Sequence, residues 1–259
     1  MPVFPLAGKR LKLISCEIFH REMCAAVAQA ARPVDIEFLP KGLHDIGQQA
    51  MVQRLQEAVD RVNADRYDTI LLGYALCNNG ICGLTARSLP IVIPRAHDCI
   101  TLFLGSHARY LDYFNDHPGT YFLTTGWLER GGDLGELQQL SIPHQMGMDL
   151  SFDELVARYG EDNARYLYDQ LCDTLRNYGR YAWIEMGVEP DGSFENHARQ
   201  AAADRGWSFE KIHGDMSLIR RLIDGPWNER EFLLLPPGQH VAPSHNDSLI
   251  RAEPSPSPS

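Results

Sequence analysis

Long apolar runs are missing from this chain. Stretches such as Thr69 to Leu72 and Phe232 to Leu235 fall far short of the ~20 residues that span a bilayer, so no transmembrane helix and no membrane partner are expected. Positive charge is scarce as well. The 24 Lys and Arg residues face 34 Asp and Glu, and a net charge of −10 repels phosphate backbones, which argues against a nucleic-acid partner. Lys9 and Arg10 are followed by only six residues before Glu17, too short an apolar block for a signal peptide, so a cytoplasmic setting with reduced thiols is expected. Nucleotide-binding fingerprints are also lacking: the glycines at 73, 80 and 83 form neither G-x-G-x-x-G nor a Walker sequence.

The composition that remains, 44% hydrophobic and 22% charged over 259 residues, is that of a globular protein able to build one large α/β unit or two lobes around a cleft. Leu11 to Ser15, Val34 to Leu39, Tyr67 to Tyr74 and Leu89 to Ile93 read as strands. The last two are continuous apolar runs bounded by Gly and Pro, as in strands covered on both faces. Helices are predicted over Glu22 to Ala31, and over Gln48 to Asn63, where Met51, Leu55, Ala58, Val59 and Val62 recur at helical spacing. This alternation implies parallel sheets with right-handed crossovers.

After a strand at Thr120 to Thr124 and a long helix or helical pair over Asp153 to Tyr178, the rhythm returns. Strands at Tyr181 to Met186, Trp207 to His213 and Glu231 to Leu235 enclose helices at Glu195 to Arg205 and Ser217 to Asp224. The expected fold is therefore α/β with two Rossmann-like, flavodoxin-like lobes of mainly parallel strands, residues 8–118 and 119–240. An internal pseudo-repeat is one account of the echo and ordinary α/β alternation is the other. Residues 241–259, ending in a Pro-Ser repeat, read as a flexible tail.

Four of the six cysteines fall just past predicted strands: Cys16, Cys77, Cys82 and Cys99. In a sheet of order 2-1-3-4, strands 1, 3 and 4 are neighbours, and ligands bind beyond their carboxyl ends. Asn78-Asn79-Gly80 signals a turn that brings Cys82 back toward Cys77, and His97-Asp98-Cys99 adds an imidazole, a carboxylate and a thiol. Such an inventory suits a metal ion or an iron-sulfur cluster held by Cys16, Cys77, Cys82 and Cys99, with His97 as a substitute or supporting ligand, although the spacing matches no zinc ribbon or ferredoxin run. Small buried packing residues, or a nucleophilic or redox thiol, are the competing accounts. Cys24 and Cys172 read as packing residues. Gly80 and Gly83 offer backbone N–H groups to an anion ahead of a helix at Leu84. Arg95 would orient a small anionic substrate and Asp98 would exchange protons.

In GYALCNNGICGL, LPIVIPRAHDCITLFLGS and PGTYFLTTGWLE the chain resembles the bacterial and archaeal family catalogued as domain of unknown function 1638, over about residues 11 to 240. The resemblance supplies no reaction. It implies a context of corrinoid-dependent methyl transfer in one-carbon metabolism, with a methyl-transfer protein as partner. Direct corrinoid ligation is not implied, because Cys16-Glu17-Ile18-Phe19-His20 stands where Asp-x-His-x-x-Gly would be. Three functions follow from these readings: a metal or cluster protein with a Cys-rich cleft, a metal-free thiol enzyme pairing one Cys with His97, and a non-catalytic cofactor or metal delivery module.

Overall fold

The computed structural model describes residues 10–255 except 78, 131–134, 147, 173–174, 245 and 247. In chain order its elements begin with β1 (Arg10–Cys16), α1 (His20–Ala28), β2 (Val34–Leu39), α2 (Gln48–Asp60), β3 (Tyr67–Gly73), β4 (Ile91–Pro94), α3 (Cys99–Leu104), α4 (His107–Asp116) and β5 (Thr120–Leu123). They continue with α5 (Thr125–Arg130), α6 (Ile142–Gln145), α7 (Phe152–Tyr159), α8 (Glu161–Leu167), β6 (Arg180–Glu185), α9 (Ser193–Asp204), β7 (Ser208–His213), α10 (Ser217–Asp224), β8 (Phe232–Leu235), β9 (Gln239–Pro243) and β10 (Ile250–Pro254). Among the described residues no helix is long and apolar enough to cross a membrane.

The first sheet has the order β2-β1-β3-β4-β8, with β1 to β4 parallel and β8 antiparallel at the edge. Leu13 of β1 lies between Ile36 and Leu71, and Ile70 of β3 is in register with Ile91. From Thr69 onward β3, and all of β4, are buried on both faces because helices cover both sides of the sheet, which explains the apolar runs Ile70-Leu71-Leu72 and Ile91-Val92-Ile93. α2 contributes Met51, Leu55, Ala58 and Val59 as one buried stripe. α10 contributes Leu218, Ile219, Leu222 and Ile223 and packs on α1, β3 and β4.

β5, β6 and β7 form a second parallel sheet of order β5-β6-β7. Ala182, Ile184, Met186 and Ile212 face the core shared with the first sheet, while Tyr181 and Trp183 pack with Ala198 and Ala202 of α9 on the other side. Strand alternation thus assigns each residue to one of two cores.

Two sequence expectations change here. The echo of the first half ends at β8, which joins the first sheet beside β4 instead of extending β6 and β7, so the repeated rhythm is not a repeated sheet topology. With α10 and β8 packed on the first sheet, the division at residue 119 separates strands of one core. Of the long helix or helical pair read over Asp153 to Tyr178, the structure has a pair, α7 and α8, which meet at Gly160, whose φ of +76° favours a residue without Cβ.

The expected tail at 241–259 is instead a hairpin up to residue 255: β9 and β10 pair antiparallel, and Val241 and Ile250 are buried. Residues 83–86 pair with residues 238–241, Gly83 N–H donating to Val241 O and Val241 N–H to Leu84 O. The helix expected at Leu84 is absent for the same reason, since Thr85 bridges His240 in extended backbone. The terminal 256–259 of the Pro-Ser repeat lies outside the described residues.

Arg95 explains part of this order. Its guanidinium is engaged by backbone carbonyls. Nε donates to Glu229 O at 2.9 Å, and Nη1 donates to Ser248 O at 2.7 Å and to Ile250 O. Arg95→Ala should cost about 2 kcal/mol by leaving these carbonyls without a charged donor, and limited proteolysis should then cut within residues 239–255. An unchanged urea midpoint and cleavage pattern would restore a ligand-binding role to Arg95.

Candidate functional site

β1, β3 and β4 run parallel and end on one rim, so whatever follows them is brought together regardless of its distance in sequence. Cys16 is the last residue of β1. Beyond β3 the chain continues beside the extension of β4, with Leu76 N–H donating to Ala96 O at 2.9 Å and Cys77 N–H to His97 O at 3.0 Å. Cys77 has a φ of 44°, in the left-handed region that a side chain with Cβ seldom occupies. Cys99 opens α3, where the Asp98 carboxylate caps the helix by accepting from Ile100 N at 3.0 Å and Thr101 N at 3.3 Å.

Cys16, Cys77 and Cys99 therefore share one neighbourhood. Burial is the main influence on all three thiols, pushing Cys16 and Cys77 up to about 12 and Cys99 well above the ordinary thiol range. The thiol charges also act on one another: Cys77 raises Cys16, and both raise Cys99. Asp98 pushes Cys77 and Cys99 further up, while Lys41 pulls Cys16 down. Without a bound cation the three are neutral thiols at neutral pH, hence poor nucleophiles. Tyr74, one residue past β3, belongs to the same group. It is 4% exposed, its phenol is raised by burial and by Cys16 and Cys77, and its hydroxyl has no partner among the described residues.

Cys82 is not part of this group. Its thiol donates to Asn79 Oδ1 at 3.8 Å, and burial alone raises it. The turn that follows Cys77 leads toward β9 through the Gly83–Val241 bond instead of folding back on the rim. His97 is exposed, stacks on Tyr110 with ring centroids 6.2 Å apart, and faces Asp98 with Nδ1–Oδ2 3.4 Å. Asp98 is thus occupied by the α3 cap, His97 and the Tyr110 hydroxyl, a positioning arrangement in place of the expected proton exchange. The anion nest is not formed either: Gly80 N–H donates to Cys77 O and Gly83 N–H to Val241 O. Cys24 is half-buried on α1 as a packing residue, and the Cys172 side chain lies outside the described residues. Among the described residues no three His, Cys, Asp or Glu side chains stand in coordinating geometry.

The carboxyl ends of the second sheet face the same region. Gly126 at the start of α5 lies against the Ile18 carbonyl, and Arg21 of α1 clasps Glu129 of α5 with two Nε–O contacts of 2.9 Å. Glu185 is committed to Lys211 and His213, and Asp215 N–H donates to Phe103 O. Between the sheets opens a cavity of about 570 Å³, bordered by Lys41 and His44 from the turn after β2, by Ile100 of α3, and by Trp127 and Tyr178.

Two residues gain importance that the sequence did not reveal. Tyr74 reads as the end of an apolar strand. Glu22 reads as an ordinary helix carboxylate, yet it is 1% exposed and neither oxygen has a partner among the described residues. Burial of this carboxyl is a tertiary event, and helical periodicity carries no trace of it.

Residues 38–223 match the model of one protein family, described as a protein of unknown function (DUF1638). The match is narrower than the resemblance suggested and starts after Cys16, while Cys77, Cys82 and Cys99 lie within it. No curated protein and no solved structure matches the chain.

Proposed function

From the premise that this chain belongs to the DUF1638 family, for which no reaction is described, we propose that the carboxyl rim of its first sheet is a soft-metal site whose open side serves a small molecule in the adjoining cleft bordered by Ile100 and Trp127. Cys16, Cys77 and Cys99 are the ligands, and Tyr74 is the oxygen beside them. One observation carries this reading: the buried Cys16 and the half-buried Cys77 and Cys99 follow three adjacent parallel strands that end on one rim. The orphaned Tyr74 hydroxyl adds to it, because a buried hydroxyl without a partner costs about 1–3 kcal/mol unless something occupies its place.

The donor set fits. Three thiolates suit zinc or an iron-sulfur centre, and three protein ligands leave a coordination position open. When bound, such an ion would supply Lewis-acid or electron-transfer chemistry at the cleft. The protein's own part is to hold the thiols dry and close, so that a proton is released from each as the ion enters. Asp98 positions Cys99 by capping α3. A cytoplasmic setting keeps such thiols reduced, and the methyl-transfer partner implied by the resemblance would present the substrate or receive the product. A Cys–His nucleophile is less well supported, since burial holds the thiols neutral and His97 is engaged with Asp98 and Tyr110.

Protein purified without air should carry about one equivalent of zinc, or of iron with charge-transfer absorption. Elemental analysis should show that metal lost in Cys77→Ser and Cys99→Ser and kept in Cys82→Ser and His97→Ala. A folded wild-type protein that takes up no metal when offered zinc or iron and sulfide would overturn the proposal, as would dependence on Cys82.

A further inference from the structure

β8 is the outermost strand of the first sheet, and only its edge toward β4 is paired. The register continues one step past Pro94 and Phe232 to Arg95 and Glu231, where Arg95 N–H donates to Glu231 O at 2.7 Å. Along an antiparallel strand, residues alternate between turning both backbone groups toward the neighbour and turning both away. Glu231, Leu233 and Leu235 therefore face β4, while Phe232 and Leu234 turn outward. Pro94, which has no N–H, stands opposite Phe232 as this alternation requires. Phe232 N–H is taken by Asn228 O at 2.9 Å. The Phe232 carbonyl and both backbone groups of Leu234 have no backbone partner among the described residues. The β9–β10 hairpin packs near β8 but forms a sheet of its own and does not pair with this edge.

Beside the edge lies a groove of about 1010 Å³, lined by Arg95 and by the unbroken run 227–234, so it follows β8 and the turn before it. Half-buried Trp227 and Leu234 give it apolar walls. An open strand edge with apolar flanks is a template for an added strand. A second copy of this chain would pair poorly here. Each β8 has already committed its Phe232 N–H to Asn228 and has none at Pro236, so two such edges cannot complete one another's bonds. Two chains of net charge −10 also repel. A free peptide offers an N–H at every residue other than proline. We infer that the β8 edge binds a short extended peptide of a partner protein, neutral or basic, by strand addition. Leu234 exchanges both backbone bonds with it, and Phe232 O accepts a third.

None of the thiols lines this groove, so the inference stands apart from the metal site. Recognition through the backbone tolerates many sequences, and one soluble probe tests it. Anisotropy titration of the full chain with fluorescein-labelled Lys-Thr-Val-Thr-Val-Lys should saturate. The same peptide N-methylated at its two central residues, which removes a donor from either edge, should bind about tenfold more weakly. Leu234→Pro removes the outward N–H and no bond to β4, so it should keep a thermal midpoint close to wild type and bind the parent peptide about tenfold more weakly. Leu234→Ala keeps the N–H and should retain most of the affinity, and Cys77→Ser should retain all of it. If Leu234→Pro does not fold, the two peptides still decide the matter on the wild-type protein. Absence of saturable binding, equal affinity of the two peptides, or a folded Leu234→Pro variant that binds like wild type would each overturn the inference. Sedimentation showing a dimer that Leu234→Pro dissolves would also overturn it and assign the edge to a second copy.

Discussion

Between pH 4.5 and pH 8 the wild-type protein should lose ~3 kcal/mol of stability relative to a Glu22→Gln variant. The Glu22 carboxyl is pushed up to about 7, first by burial and further by the negative charges of Glu189 and Glu129. The Arg21 guanidinium and the residue's own N–H oppose this only in part. In the unfolded chain the same group titrates near 4.5. Below that value it is neutral in both states, and folding proceeds at no ionic cost. As the pH rises from 4.5 to about 7, the unfolded state ionises while the folded state resists, so stability falls and then levels off once both are charged. A rise from 4.5 to about 7 corresponds to ~3 kcal/mol.

Gln is isosteric and cannot ionise, so the change in the difference between the two proteins is the diagnostic quantity, whatever the offset from the amide's own unmet hydrogen bonds. Urea unfolding at pH 4.5, 6 and 8 measures it. A constant difference across that range would mean that Glu22 has a partner or solvent when folded. Because Glu22 sits where α1 meets α5, this lost stability should be felt first as loosening between the two sheets.

Gly126→Ala should be the most disruptive conservative substitution at that same junction, costing ~3 kcal/mol, the upper part of the usual range for forced overpacking. A Cβ at Gly126 would lie 1.8 Å from the Ile18 carbonyl oxygen and 2.7 Å from its carbon. Both are backbone atoms in the turn that follows Cys16, so no side-chain rotation relieves the clash, and α5 must move as a body. Trp127 and Glu129 move with it. The Arg21–Glu129 pair should weaken, and the aromatic wall of the cleft should shift. Gly179→Ala serves as the control, because a Cβ there meets nothing within 4 Å. Thermal midpoints should separate the two variants by several degrees. If Gly126→Ala melts with the control, the contact between α5 and the Glu17–Phe19 turn is not part of the native packing.

The strands of the first sheet were legible because parallel strands covered on both faces are apolar along their centres, as Ile70-Leu71-Leu72 of β3 and IVIP of β4 are. Their order β2-β1-β3-β4 follows from crossover rules that do not depend on side-chain detail. Arrival of Cys16, Cys77 and Cys99 at one rim follows from that order alone. The path of the chain at Cys82 was not legible because a turn signal in Asn78-Asn79-Gly80 says that the chain bends and not where it goes next. The partner that decides its path, Val241, is more than 150 residues away.

Arg95 was misread for a related reason. Guanidinium groups serve carbonyls and carboxylates alike, and only the docked hairpin reveals which is present.

By itself, the order of residues determined the local preferences: which segments extend, which coil, and at which strand ends the sulfur atoms stand. Those follow from side-chain periodicity and short-range backbone sterics. Only the tertiary structure decided that β8 completes the first sheet, that residues 239–254 form a hairpin, that Glu22 is enclosed without a partner among the described residues and that a cleft opens between Lys41 and Trp127. Each of these depends on surfaces distant in sequence removing one another from water, and burial of that kind is a property of the assembled chain that no local window contains.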